Sequence, residues 1–127
     1  MTDRRTPRPE GVAWPKAPYS PVVADGDLVY TAGQVGFDEQ GELVGGGIEA
    51  QTRRALENLV ACLRAAGAAT SDVLKVNAYL ADLADFAAFN EVYREFFAEP
   101  YPARTTVGVS LPGELLVEIE AVARVRA

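Results

Sequence analysis

Arg104-Thr105-Thr106-Val107-Gly108-Val109 and Leu115-Leu116-Val117-Glu118-Ile119-Glu120-Ala121-Val122-Ala123-Arg124-Val125 are the stretches whose reading decides the fold. Both alternate with period 2, as strands do when successive side chains point to opposite faces. In the second stretch Val117, Ile119, Ala121, Ala123 and Val125 make an apolar row, which needs a second layer to cover it. Leu116, Glu118, Glu120, Val122 and Arg124 make the other row. In the first stretch Thr105, Val107 and Val109 oppose Arg104, Thr106 and Gly108. If both apolar rows face the core, Arg104 and Thr106 share a sheet face with Glu118 and Glu120. An arginine fork binds a carboxylate through two parallel hydrogen bonds, and a glutamate nearby orients or deprotonates water. The same residues equally suit the solvated face of an antiparallel sheet, where Arg–Glu pairs are ordinary stabilisers. Pattern alone does not separate a site from such a face.

Upstream, two segments have helical periodicity. Ile48, Thr52, Ala55, Leu56, Leu59, Val60, Leu63 and Ala66 form one apolar stripe, with Gly67 placed to end it. Phe86, Phe89, Val92, Tyr93, Phe96 and Phe97 form a second. Asp82 or Asp85 suits its N-terminus, and Pro100 and Pro102 prevent its continuation. Val73 to Leu80 reads as a strand between them. Asp25-Gly26-Asp27 is a turn that opens the strand Leu28 to Ala32. Gly33 interrupts that strand, as a glycine does at a bulge or where another group approaches the backbone. Gln34 to Phe37 resumes it, and Asp38 to Gly41 turns back into Leu43-Val44. The order strand, strand, helix, strand, helix, strand, strand predicts an α+β sandwich, two helices against one mixed sheet. Residues 1–16, with Pro7, Pro9 and Pro15, read as a flexible or extended leader. Residues 17–127 read as a single domain.

Composition narrows the chemistry. The chain has 127 residues, one cysteine and no histidine. A Ser-His-Asp triad, a Cys-His dyad and a histidine-ligated metal are therefore excluded. Lone Cys62 closes no internal disulfide. Catalysis must rest on Arg, Lys, Glu, Asp, Tyr, hydroxyls and backbone groups. The net charge is −6, and from Ala17 onward eight basic against sixteen acidic residues leave −8. Such a body offers no basic excess to a phosphate backbone, so nucleic acid is not an expected partner. No apolar run has signal-peptide or membrane-span length, so a soluble cytoplasmic protein is expected.

Other features have plain readings. Gly45-Gly46-Gly47 lacks the Lys-Ser/Thr of a phosphate loop and reads as a flexible loop. Cys62 sits among apolar neighbours on a helix and reads as a core thiol. The aromatic stripe from Phe86 to Phe97 is explained by helix packing. Tyr19, between Pro18 and Pro21, suits either surface packing or a ring held over a pocket.

Pro18-Tyr19-Ser20, Val29-Tyr30-Thr31-Ala32-Gly33-Gln34, Gln51-Thr52 with Leu56-Glu57-Asn58-Leu59, and Asp85-Phe86 with Asn90 occur in this order. Pro102-Ala103-Arg104-Thr105-Thr106-Val107 and Val117-Glu118-Ile119-Glu120-Ala121 follow them. Over Pro18 to Val125 the chain resembles the Rid family, the reactive intermediate deaminases also called the YjgF/RidA group. The resemblance implies a chorismate-mutase-like α+β fold assembled as a homotrimeric barrel, with clefts between subunits and no metal or organic cofactor. It implies hydrolysis of enamines and imines, such as 2-aminoacrylate and its imine, to 2-keto acids and ammonia.

By the same resemblance, Arg104 holds the substrate carboxylate and Glu118 serves the hydrolytic water. Tyr19 borders the cleft, Gly33 offers backbone near the ligand, and Asn90 lies near the site. Thr106 stands where many relatives place a cysteine. Ala32 stands where many have the serine of Ser-Gly-Gln, so a substrate-facing hydroxyl is missing. Glu120 matches a recurrent structural acid. Three other readings stand beside the deaminase: a carboxylate-sensing trimer with little turnover, a catabolic deaminase of the same family, and an endoribonuclease.

Overall fold

The apolar stripe of Thr52, Ala55, Leu56, Leu59, Cys62 and Leu63 is fully buried on α1 (Gly47–Ala65). Gly67 ends this helix at φ 83°, with its N–H on the Arg64 carbonyl and the Ala68 N–H on the Leu63 carbonyl. That paired closure needs a left-handed residue, which glycine supplies without a Cβ clash. The second helix, α2 (Phe86–Phe96), is led in by a short 3₁₀ turn whose Ala84 N–H is capped by Asp82 Oδ1. Asp82, not Asp85, is the capping side chain.

The computed structural model describes residues 3–126. One six-stranded sheet runs through it: β1 (Arg4–Arg5), β2 (Val22–Asp25), β3 (Leu28–Thr31), β4 (Val73–Leu80), β5 (Ala103–Gly108) and β6 (Val117–Arg124). Its order is β1-β2-β3-β6-β4-β5. β4 and β5 are parallel, and the other pairs are antiparallel. Val29, Val76, Ala78, Leu80, Val117 and Ile119 meet Leu56, Leu59, Leu63 and Phe89 in one buried core. The α+β layering is as expected, and no helix among the described residues is long and apolar enough to cross a membrane.

The register of the last strands corrects the expectation that Arg104 and Thr106 share a sheet face with the two glutamates. β5 does not pair with β6; β4 lies between them. Arg104 is in register with Val76, and Val76 with Ala121, so Arg104 is on the helix-covered face. Glu118 is in register with Tyr79, three residues along from Val76, and Glu120 with Asn77. By period 2, both glutamates lie on the opposite, open face. Arg104 and Thr106 therefore do not share a face with Glu118 and Glu120. β5 is an edge strand whose Val107 is 40% exposed, so its apolar row faces outward and its polar row faces α2.

A further difference has a local cause. Gln34 to Phe37 forms only isolated bridges, Gln34 to Ile119 and Phe37 to Leu43. The Val35 and Phe37 carbonyls instead accept from Asn58 Nδ2, and Phe37 also from Arg54 Nε. These side chains tie the loop to α1 in place of a strand ladder. Within residues 1–16, Arg4 and Arg5 pair with Asp25 and Ala24 as the edge strand β1, and the Gly11 carbonyl accepts from Arg54 Nη2. Met1 and Thr2 of that segment lie outside the described residues.

Candidate active site

Two clusters gather the candidate residues. The first forms on the helix side of β5. Arg104 Nη2 donates to Asn90 Oδ1 of α2 at 2.8 Å. Its guanidinium lies over the rings of Tyr93, Phe89 and Phe86. Asn90 and the three aromatic residues share α2 at spacings of three and four or one turn apart, so one helix face presents them together. Thr106, two residues along β5, has a buried hydroxyl with no hydrogen-bond partner among the described residues, and the buried Tyr93 hydroxyl lies close to the Arg104 guanidinium. Asn90, Tyr93, Tyr101, Pro102 and Arg104 line a cavity of about 240 Å³.

The second cluster lies where β3 runs out beside β6. Gln34 N–H donates to the Ile119 carbonyl at 2.7 Å, and Ile119 N–H donates back at 2.9 Å. This bridge sets Gly33 against the side chain of Glu118, where any Cβ would overlap the carboxylate. The approach of another group, one meaning of a glycine within a strand, is made here by Glu118. Gln51 supports the far end, accepting from Leu116 N–H and donating to the Glu114 carbonyl. Tyr19, Ala32, Gly33, Phe37, Leu115 and Glu118 line a cavity of about 330 Å³. Apart from the Glu118 carboxylate and the Tyr19 hydroxyl, these side chains are apolar.

Electrostatics distinguish Glu118. Burial first, and then the neighbouring Glu120 charge, raise its pKa above the ordinary carboxylate value. Tyr79 beside them is raised by burial and then by Glu120. Glu120 itself accepts from Asn77 Nδ2 at 3.2 Å. Cys62 is excluded as a nucleophile, because burial pushes its thiol up to about 12.

The candidates thus fall into two groups. Arg104, Asn90 and Thr106 belong to the first cluster; Tyr19, Ala32, Gly33 and Glu118 belong to the second. The clusters lie on opposite sheet faces and two strands apart, about 10 Å across the ladder. Tyr93 is the residue that sequence reasoning misses, because helix packing already explains it. The one signal that it lines this cavity is a helix face that carries Asn90 together with an aromatic stripe.

A family model described as Endoribonuclease L-PSP matches residues 11–125. A RutC family protein of Pyrococcus abyssi is 50% identical over 111 residues, covering 86% of this chain and 87% of its own. The chain belongs to the Rid family. A human family member named 2-iminobutanoate/2-iminopropanoate deaminase is 41% identical over 108 residues, covering 84% of this chain and 79% of its own. RidA from an Antarctic Psychrobacter superposes with a TM-score of 0.90 at 41% identity, covering 95% of this chain and 99% of its own. The mixed sheet with two helices is therefore the Rid fold.

Proposed function

We propose that the chain is a cofactor-free hydrolytic deaminase of small 2-imino acids, acting as a homotrimer with its sites between copies. The observation that carries this reading is the division of candidates between two clusters on opposite sheet faces. Within one chain, Arg104 and Glu118 project away from each other. A second copy supplies the missing half. The open sheet face, with Tyr30 and Val107 exposed, is the surface available for that association. The human relative's name supports the reaction class.

In the reaction, Arg104 of one copy takes the substrate carboxylate and draws electron density from the adjoining carbon. For an enamine such as 2-aminoacrylate, a proton adds to the terminal carbon and gives the iminium. Glu118 of the other copy takes a proton from water as the oxygen bonds to the iminium carbon. Glu118 returns that proton to the carbinolamine nitrogen, the C–N bond breaks as the hydroxyl gives its proton back to Glu118 and becomes the carbonyl, and ammonia and the 2-keto acid leave. The intermediate is already electrophilic, so positioning and one proton shuttle supply the catalysis. A carboxyl with a raised pKa is suited to that shuttle.

The test is ammonia release from freshly generated 2-iminobutanoate. Arg104→Ala loses charge-assisted bonds and should cost about 10–100-fold in kcat/KM. Glu118→Gln should cost about 100-fold in kcat. Wild-type protein no faster than either variant overturns the proposal. Ala32 favours a second reading, a carboxylate sensor, because this pocket lacks a substrate-facing hydroxyl there. Thermal stabilisation by 2-keto acids that needs Arg104, without any turnover, would select it.

A further inference from the structure

Within one copy, Arg104 presents an unneutralised charge. Among the described residues, no carboxylate lies within ion-pair distance of it. Asn90 Oδ1 accepts one of its N–H groups. Aromatic rings surround the rest. The guanidinium carbon lies 4.6 Å from the Tyr93 ring centroid, 5.3 Å from Phe89 and 5.7 Å from Phe86. A ring face within about 6 Å attracts a cation, and three rings share this one. Phe89 is fully buried and Tyr93 nearly so, so both are fixed by the core. Tyr93 also stacks on Phe97 at 4.7 Å between centroids.

We propose that Tyr93, with Phe86 and Phe89, is a positioning residue that holds the Arg104 guanidinium by its ring faces without neutralising it. A protein carboxylate in the same place would compete with the ligand for the fork. An aromatic ring attracts the cation through its quadrupole and carries no net charge. Asn90 adds one neutral acceptor, which fixes the rotation of the fork and leaves its remaining N–H groups for a ligand carboxylate. The Tyr93 hydroxyl also lies close to the guanidinium, and it stays protonated there. Burial pushes it up to about 12 against the opposing pull of the Arg104 charge, so no tyrosinate forms beside Arg104 at neutral pH.

The inference rests on the deaminase reading, which supplies the carboxylate ligand. It assigns the effect to the ring and not to the hydroxyl. Tyr93→Phe should therefore bind 2-ketobutyrate within about twofold of wild type. Tyr93→Leu should weaken binding about fivefold and raise KM for 2-iminobutanoate by the same factor. Its kcat should change less than about threefold, because ground-state and transition-state binding are lost equally. Phe86→Leu replaces a ring that is 42% exposed, so its fold should be unaffected. It should weaken binding about twofold to threefold.

Calorimetry with 2-ketobutyrate and the iminobutanoate assay on the assembled protein decide the matter. Wild-type affinity and KM in both Leu variants overturn the positioning role, as does a loss in Tyr93→Phe equal to that in Tyr93→Leu. Should Tyr93→Leu fail to fold, Phe86→Leu tests the role alone, and wild-type affinity in that variant overturns it. A wild-type protein that neither binds 2-ketobutyrate nor releases ammonia instead overturns the deaminase reading, and the positioning role with it.

Discussion

A methyl group at Gly33 would occupy the space of the Glu118 carboxylate. Gly33→Ala therefore forces Glu118 to move, although the backbone there needs no left-handed conformation. We expect kcat to fall about 100-fold, as for loss of the base itself, with the thermal unfolding profile retained. Steady-state rates beside a melting curve check this; a fully active Gly33→Ala enzyme would contradict it. Glu120 gives a second prediction, with a definite sign. Its charge raises the pKa of Glu118, so the basic form of Glu118 is lost at a higher pH than usual as acid is added. Glu120→Gln removes that charge and lowers the pKa of Glu118. The acidic limb of the kcat profile should then move to lower pH, while Asn77 keeps a partner in the Gln side chain. A limb that stays put or moves upward would contradict the assignment of Glu118.

At the scale of elements, β3 and β6 are joined partly by a side chain. Ala121 N–H donates to Thr31 Oγ1 at 3.0 Å, just where β3 ends. Thr31→Val keeps the branched shape and leaves that half-buried N–H without its partner, at a cost of about 1–3 kcal/mol. Chemical denaturation should show this loss, and Thr31→Ser should recover most of it; equal stability of the two variants would contradict the role. Both helices and β6 are legible in the sequence because each carries one unbroken apolar row at its own period, and β4 keeps such a row from Val76 to Leu80, past a bulge between Val73 and Lys75 that leaves Leu74 exposed. The partner of β5 is not legible. Period 2 assigns residues to two faces but does not say which face is inward. The row of Thr105, Val107 and Val109 is the more apolar, and so reads as the inward one. In the structure Arg104 takes the inner side, because α2 roofs it with aromatic rings. The Gln34 to Phe37 segment misleads for a related reason. Its composition suits a strand, but its carbonyls are claimed by Arg54 and Asn58, 17 to 23 residues away.

Across the whole molecule, the candidate residues are nameable from the chain while their arrangement is not. Arg104 and Glu118 lie in recognisable segments, yet placing them on one face depends on the row of Thr105, Val107 and Val109 turning inward, and it turns outward. With β4 between β5 and β6, the two half-sites look away from each other. On the proposed mechanism a single copy lacks half of the site, so that function stands or falls with a site shared between copies. Arg104→Ala and Glu118→Gln chains can be co-expressed with different tags and purified as mixed assemblies. A site that joins Arg104 of one copy to Glu118 of another is restored wherever the two intact residues meet. Random mixing should recover about a quarter of wild-type activity from two nearly inactive parents. Mixed assemblies no more active than the parents would contradict a shared site.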